Sequence, residues 1–137
     1  MQWSPAGTVG TEPTVVVPTG QPPLQLLSKD LVVGTGATAQ RGSQVSVQYV
    51  GDSWTTRQQF DASWNRHQAF AFTLGAGQVI PGWDQGVAGM KVGGRRELVI
   101  PPDLAYGAQS PGAGIARDDT LIFVVDLVGV GSSTSTS

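Results

Sequence analysis

The chain has 137 residues, 39% of them hydrophobic and 13% charged, which suits one globular core and is too short for two sizeable ones. With no Cys it has no disulfide, thiol nucleophile, iron–sulfur cluster or cysteine zinc site, and its single His excludes a multi-histidine metal site. A net charge of −2 gives no basic footprint for nucleic acid, and no apolar run approaches the roughly 20 residues that span a bilayer. Function has to use apolar surface and backbone groups.

Residues 1–23 hold five prolines and a single apolar cluster, Val15-Val16-Val17 between Pro13 and Pro18. They read as an extended arm that lends at most one edge strand, because proline cannot donate to a central ladder. The arm lacks a basic start and a continuous apolar stretch, so it is no secretory signal. A cytoplasmic location is expected, with an exported chain already freed of its leader as the alternative. Leu26 to Val33 predicts a weak strand. Val45, Val47 and Tyr49 alternate with Ser46 and Gln48, the pattern of a half-buried strand. Phe70, Phe72 and Leu74 repeat that pattern, as do Arg96, Leu98 and Ile100 before Pro101-Pro102. Between them, Trp83, Val87 and Met90 fall at i, i+4 and i+7, the stripe of a short amphipathic helix. Pro81 suits its first turn and Gly93-Gly94 its exit. Gly82, Gly86 and Gly89 each cost the helix up to about 1 kcal/mol, so burial rather than propensity must hold it. Thr120 to Val130 is the longest apolar run and predicts a central strand buried on both faces. Residues 132–137 form a polar tail expected to be disordered. One short helix and several antiparallel strands give an α+β domain over 24–131, a curved five- to six-stranded antiparallel sheet wrapped around one α-helix.

Several chemical readings fail on the residues. Gly75-Ala76-Gly77-Gln78-Val79-Ile80 resembles a dinucleotide fingerprint until Ile80 replaces its last glycine. His67 sits in a polar loop and reads as solvated rather than as a triad base. Asp118-Asp119 reads as a turn entering a strand rather than as a metal site. The aromatic residues carry more. Tyr49, Phe60, Phe70, Phe72 and Phe123 come from separate strands or strand ends, and Trp83 opens the helix. A plain core is the simplest account. Against it, two tyrosine hydroxyls need partners if buried, and Asp61 sets a carboxylate beside the apolar cluster. An apolar concavity with a few converging polar groups is the form of a small-ligand or peptide site.

Val47-Gln48-Tyr49-Val50-Gly51, Phe60-Asp61-Ala62-Ser63, Phe70-Ala71-Phe72, Leu74 to Asp84 (LGAGQVIPGWD), Gly89-Met90-Lys91-Val92-Gly93, Ala105-Tyr106-Gly107 and Thr120-Leu121-Ile122-Phe123 follow one another in an order and spacing that closely resembles the FK506-binding protein (FKBP) family of peptidyl-prolyl isomerases. The resemblance runs from about Leu24 to Val130. It implies a hydrophobic pocket between sheet and helix that accepts a proline ring, with Trp83 as floor and Tyr49, Phe70, Val79 and Phe123 as walls. It further implies that Phe60 and Asp61 flank the susceptible bond. The N–H of Ile80 and the hydroxyl of Tyr106 would bind substrate or macrolide carbonyls, and Ile115 would overhang the site. Asp61 is expected to fix its neighbours rather than transfer a proton. Proline-containing peptides and unfolded proteins are the implied partners, FK506 or rapamycin implied ligands, and the chain is expected to act as a monomer with no cofactor, metal, nucleic acid or membrane. Three departures stand out: Pro111 and Gly114 in the Gln109–Ala116 loop shrink one wall, Trp54 occupies the connection after Gly51, exposed or packed on the rim, and Ala62 replaces a common serine. A proline-peptide binding module or a holding chaperone is the alternative reading, and an unrelated ligand-binding barrel a third.

Overall fold

The alternating segments become strands of one antiparallel sheet in a computed structural model that describes residues 2–107 and 115–131. The polar tail and most of the Gln109–Ala116 loop, Pro111 and Gly114 included, lie outside the described residues. In chain order the strands are β1 (Leu27–Val32), β2 (Gln44–Ser53), β3 (Gln59–Ala62), β4 (Phe70–Thr73), β5 (Arg95–Ile100) and β6 (Leu121–Gly131). Across the sheet they run β1-β5-β6-β2-β3, with β4 also paired to β2. β6 lies between β5 and β2, and its residues Leu121 to Leu127 are buried throughout, as a continuous apolar run requires. β3 carries no alternation in its four residues, and a register shift at Gly51/Asp52 separates it from the regular part of β2. Pairing, not propensity, makes it a strand.

The helix α1 spans Pro81–Gly86 and stops short of the full stripe. Gly89 takes φ +90° and gives its N–H to the Ala39 carbonyl, so the chain leaves the helix for a turn. Trp83, Val87 and Met90 are nonetheless all buried in one core cluster with Leu98, Ile100, Leu121 and Phe123. A Cβ on Gly82 would strike Ile100, and one on Gly86 would come within 2.6 Å of Leu98. The glycines that weaken the helix intrinsically are what let it lie directly on β5.

The opposite face of the sheet is unexpectedly charged. Cross-strand register aligns Arg95 with Asp126 and Gln48, and Glu97 with Lys29 and Val124. Leu27, Val99 and Ile122 follow in the next row. The N-terminal arm covers this face. Trp3, Val15 and Val17 pack on Trp54, Val99 and Ile122, so Trp54 is buried rather than exposed, and its indole N–H donates to the Gly20 carbonyl. Arg95 forks onto Asp126 at 2.6 and 2.8 Å and also donates to the carbonyls of Ala6, Thr8 and Thr11. The Ser4 N–H donates to Glu97 at 2.8 Å. The arm therefore adds no strand among the described residues: several of its backbone groups go to side chains of β5 and β6, and others to Trp54 and Arg57 after β2, instead of to a ladder. Buried charges are tolerated when paired and hydrogen-bonded, which describes Arg95 and Asp126. Glu97 is 0% exposed, one of its oxygens has no partner among the described residues, and burial pushes its carboxyl above the usual range.

Candidate active site

A cavity of about 210 Å³ opens beside the N-terminus of α1, lined by Tyr49, Phe60, Asp61, Phe70, Gln78, Val79, Ile80, Trp83, Tyr106 and Phe123. An apolar hollow of roughly 150 Å³ admits a benzene ring, so a five-membered ring fits here. The lining comes from elements far apart in sequence: Tyr49 from β2, Phe60 and Asp61 from β3, Phe70 from β4, Val79 to Trp83 from the entry to α1, and Phe123 from β6. Trp83 is 4% exposed. Its ring meets Tyr49 at 5.0 Å and Phe123 at 5.2 Å, both nearly edge-on, with Phe72 at 5.7 Å and Phe70 at 6.0 Å around it. Edge-to-face contacts fix ring orientation as well as position. Phe60 meets Phe123 edge-on at 5.6 Å. That contact depends on Gly51, where a Cβ would come within 2.8 Å of both rings.

The polar groups are equally organised. The Tyr49 hydroxyl donates to Asp61 at 2.5 Å, while Arg66 donates to Asp61 at 2.8 Å and to the Tyr49 oxygen at 2.8 Å. Arg66 closes the 3₁₀ turn Ser63–Arg66 directly after β3, which brings its guanidinium back over the tyrosine ring. Burial pushes the Tyr49 hydroxyl up to about 12, reinforced by the carboxylate beside it. Burial also acts to raise Asp61, but the hydrogen bonds from Tyr49 and Arg66 outweigh it and hold the carboxyl below its ordinary value. The pair is therefore a fixed dipole at neutral pH and exchanges no proton. Tyr106 is 42% exposed, and no described group accepts a hydrogen bond from its hydroxyl. The Ile80 N–H at the start of α1 likewise reaches no described acceptor.

Nine of the ten residues singled out from the sequence line this cavity. Ile115 is not among the lining residues; it is buried in the core cluster that also holds Trp83. Sequence reasoning missed Gln78, which lines the cavity while accepting the Thr73 N–H, and Arg66. The one available signal for Arg66 was a cation five residues after a semi-buried carboxylate. The glycine turn of Gly75 and Gly77 spends its N–H groups on the Asp84 carboxylate at 2.8 and 3.1 Å, which closes it to phosphate. His67 ends the 3₁₀ turn at φ +51°, exposed and outside the cavity.

The sequence profile of the FKBP-type peptidyl-prolyl cis-trans isomerases matches residues 36–128. An FK506-binding protein of Streptomyces anulatus is 59% identical over 120 residues, covering 87% of this chain and 97% of that protein. This chain belongs to the FKBP-type peptidyl-prolyl cis-trans isomerases. A probable FK506-binding protein of Corynebacterium glutamicum is 44% identical over 117 residues, 85% of this chain and 97% of its own. Among solved structures, FkpA from Escherichia coli superposes with a TM-score of 0.70 at 36% identity over 79% of this chain and 49% of FkpA. AtFKBP13 gives 0.69 at 36% identity, over 77% and 93%. The expected α+β architecture and isomerase activity are thereby those of the family.

Proposed function

We propose that this cavity performs the isomerisation by taking a prolyl ring against Trp83 and favouring the twisted form of the preceding amide. Unaided rotation faces about 18–20 kcal/mol because the planar amide is resonance-stabilised. On twisting, the carbonyl loses negative charge and the nitrogen loses conjugation. The planar dipole is better hydrated, so an apolar enclosure raises it relative to the twisted state. The Ile80 N–H and Tyr106 hydroxyl, without partners among the described residues, are placed to donate to flanking carbonyls and hold the chain across the opening. Asp61, locked by Tyr49 and Arg66, orients the wall that Phe60 presents. Lowering the barrier by about 6 kcal/mol gives between four and five decades in rate. Rotation makes and breaks no covalent bond, so binding and desolvation by these residues suffice.

The observation that carries this reading is the hollow over a buried indole, ringed by edge-on aromatics, with its only carboxylate held ionised. The names of the relatives support FK506-type macrolides as competing ligands, and the family's peptidyl-prolyl activity supports proline-containing peptides and unfolded proteins as substrates. The test is a protease-coupled isomerisation assay on a short X-Pro peptide with and without FK506. Acceleration that FK506 abolishes is expected; no rate gain at micromolar protein rejects the reading.

A further inference from the structure

The Asp118-Asp119 pair enters β6 far in sequence from every residue of the cavity except Tyr106 and Phe123, yet it touches the supports of both sides. Asp119 is 3% exposed. Its Oδ2 accepts the Ser53 hydroxyl at 2.5 Å and the Ala116 N–H at 2.9 Å, and its Oδ1 accepts the Thr55 N–H at 3.2 Å. Ser53 in turn accepts the Thr56 N–H at 3.0 Å, and the Trp54 N–H donates to the Thr120 carbonyl at 2.9 Å. These bonds fasten the connection between β2 and β3, whose next residues include Phe60 and Asp61. On the other side, the Asp118 N–H donates to the Gly107 carbonyl at 2.8 Å, and the Gly107 N–H donates to Pro102, which closes the turn that presents Tyr106. Residues 118–120 are thus a short bridge between the Tyr106 edge of the cavity and the Phe60–Asp61 edge.

We propose that Asp119 is a positioning residue for the isomerase, setting the distance between those two edges and so the tolerance for the residue that precedes proline. It touches no substrate itself. Its carboxylate gathers three donors from two otherwise independent loops, a task a neutral or shorter side chain cannot complete with the same geometry. The charge has no cationic partner among the described residues, so its role is to organise loop donors rather than to form an ion pair. The inference rests on the reading of the cavity as the prolyl site.

The experiment measures kcat and KM separately for two peptides that differ only in alanine or leucine before proline. The variants are Asp119→Ala, Ser53→Ala and Val45→Ala, each with a thermal melt. Val45 is buried at the far end of β2 and controls for lost stability alone. Losing the carboxylate is expected to raise KM about fivefold with kcat within about twofold, and to bring the leucine-to-alanine ratio towards one. Ser53→Ala, which cuts only the β2–β3 side, gives a smaller change in the same direction and serves where Asp119→Ala does not fold. Val45→Ala lowers the melting temperature and leaves the ratio alone. If Asp119→Ala and Ser53→Ala behave like Val45→Ala, the proposal is overturned. If the parent chain accelerates neither peptide, the reading of the cavity fails first and takes the proposal with it.

Discussion

Replacing Phe123 by alanine separates the two tasks of one ring. Phe123 is buried, packs edge-on against Phe60, Tyr49 and Trp83, and forms one wall of the cavity. Large-to-small changes of this kind cost about 3–5 kcal/mol, and the open side of the cavity allows some collapse, so about 3–4 kcal/mol is expected. A chain of this length unfolds with an entropy near 0.3 kcal/mol/K, which converts that loss to a fall of roughly 10–14 °C in Tm. Activity per folded molecule should drop at least tenfold in the X-Pro assay at a temperature where the variant is still native, since one wall of about 1.4 kcal/mol or more is removed from the transition state. Val125→Ala supplies the comparison, because Val125 lies in the same core and the same strand but outside the cavity. It melts lower and keeps its turnover. If Phe123→Ala keeps its turnover too, the ring is a core residue and nothing more.

Tyr106→Phe leaves Tm unchanged, because the hydroxyl has no described partner to lose. It weakens FK506 binding by about two- to tenfold, the span of a single neutral hydrogen bond, as read by titration calorimetry; equal affinity removes the hydroxyl from the site. The kcat/KM profile of the parent is flat between about pH 5 and 9, since Tyr49 titrates near 12 and Asp61 lies below the ordinary carboxylate value. Asp61's contribution to stability is complete above its unfolded value and is lost only as pH falls through its lowered native one. A kinetic pKa near neutrality contradicts the locked pair. Glu97 has the opposite sign. Its carboxyl is raised in the fold, so its contribution is complete below the unfolded value of about 4.3 and is lost as pH rises through the native one. Glu97→Gln therefore melts higher than the parent at pH 8, and the gap narrows towards pH 4; a gap that is constant with pH refutes the assignment.

Much of the inner face was legible in advance because its signals are local. Alternation at Val45, Val47 and Tyr49 placed β2, the spacing of Trp83, Val87 and Met90 placed the helical stripe, and the ordered motifs placed nine lining residues. What escaped depends on register between distant segments. Arg95, Glu97 and Asp126 look like ordinary solvent-facing charges within their strands; only cross-strand pairing aligns them, and only an arm 84 or more residues away covers them. Helix length was overestimated because a hydrophobic stripe continues through a turn when the turn is packed against the same core.

The arm also bears on where this protein can be cut. The stretch matching the family profile begins at residue 36, so a gene trimmed to it would omit both the arm and β1. The shortened polypeptide would present Ile122 and Val99 to water beside an Arg–Asp pair stripped of its carbonyl cradle, with β5 left as a raw sheet margin. Bare margins of that kind recruit one another. A version pared down to the family consensus should clump, and an affinity handle would sit better after residue 131 than in place of the first two dozen residues.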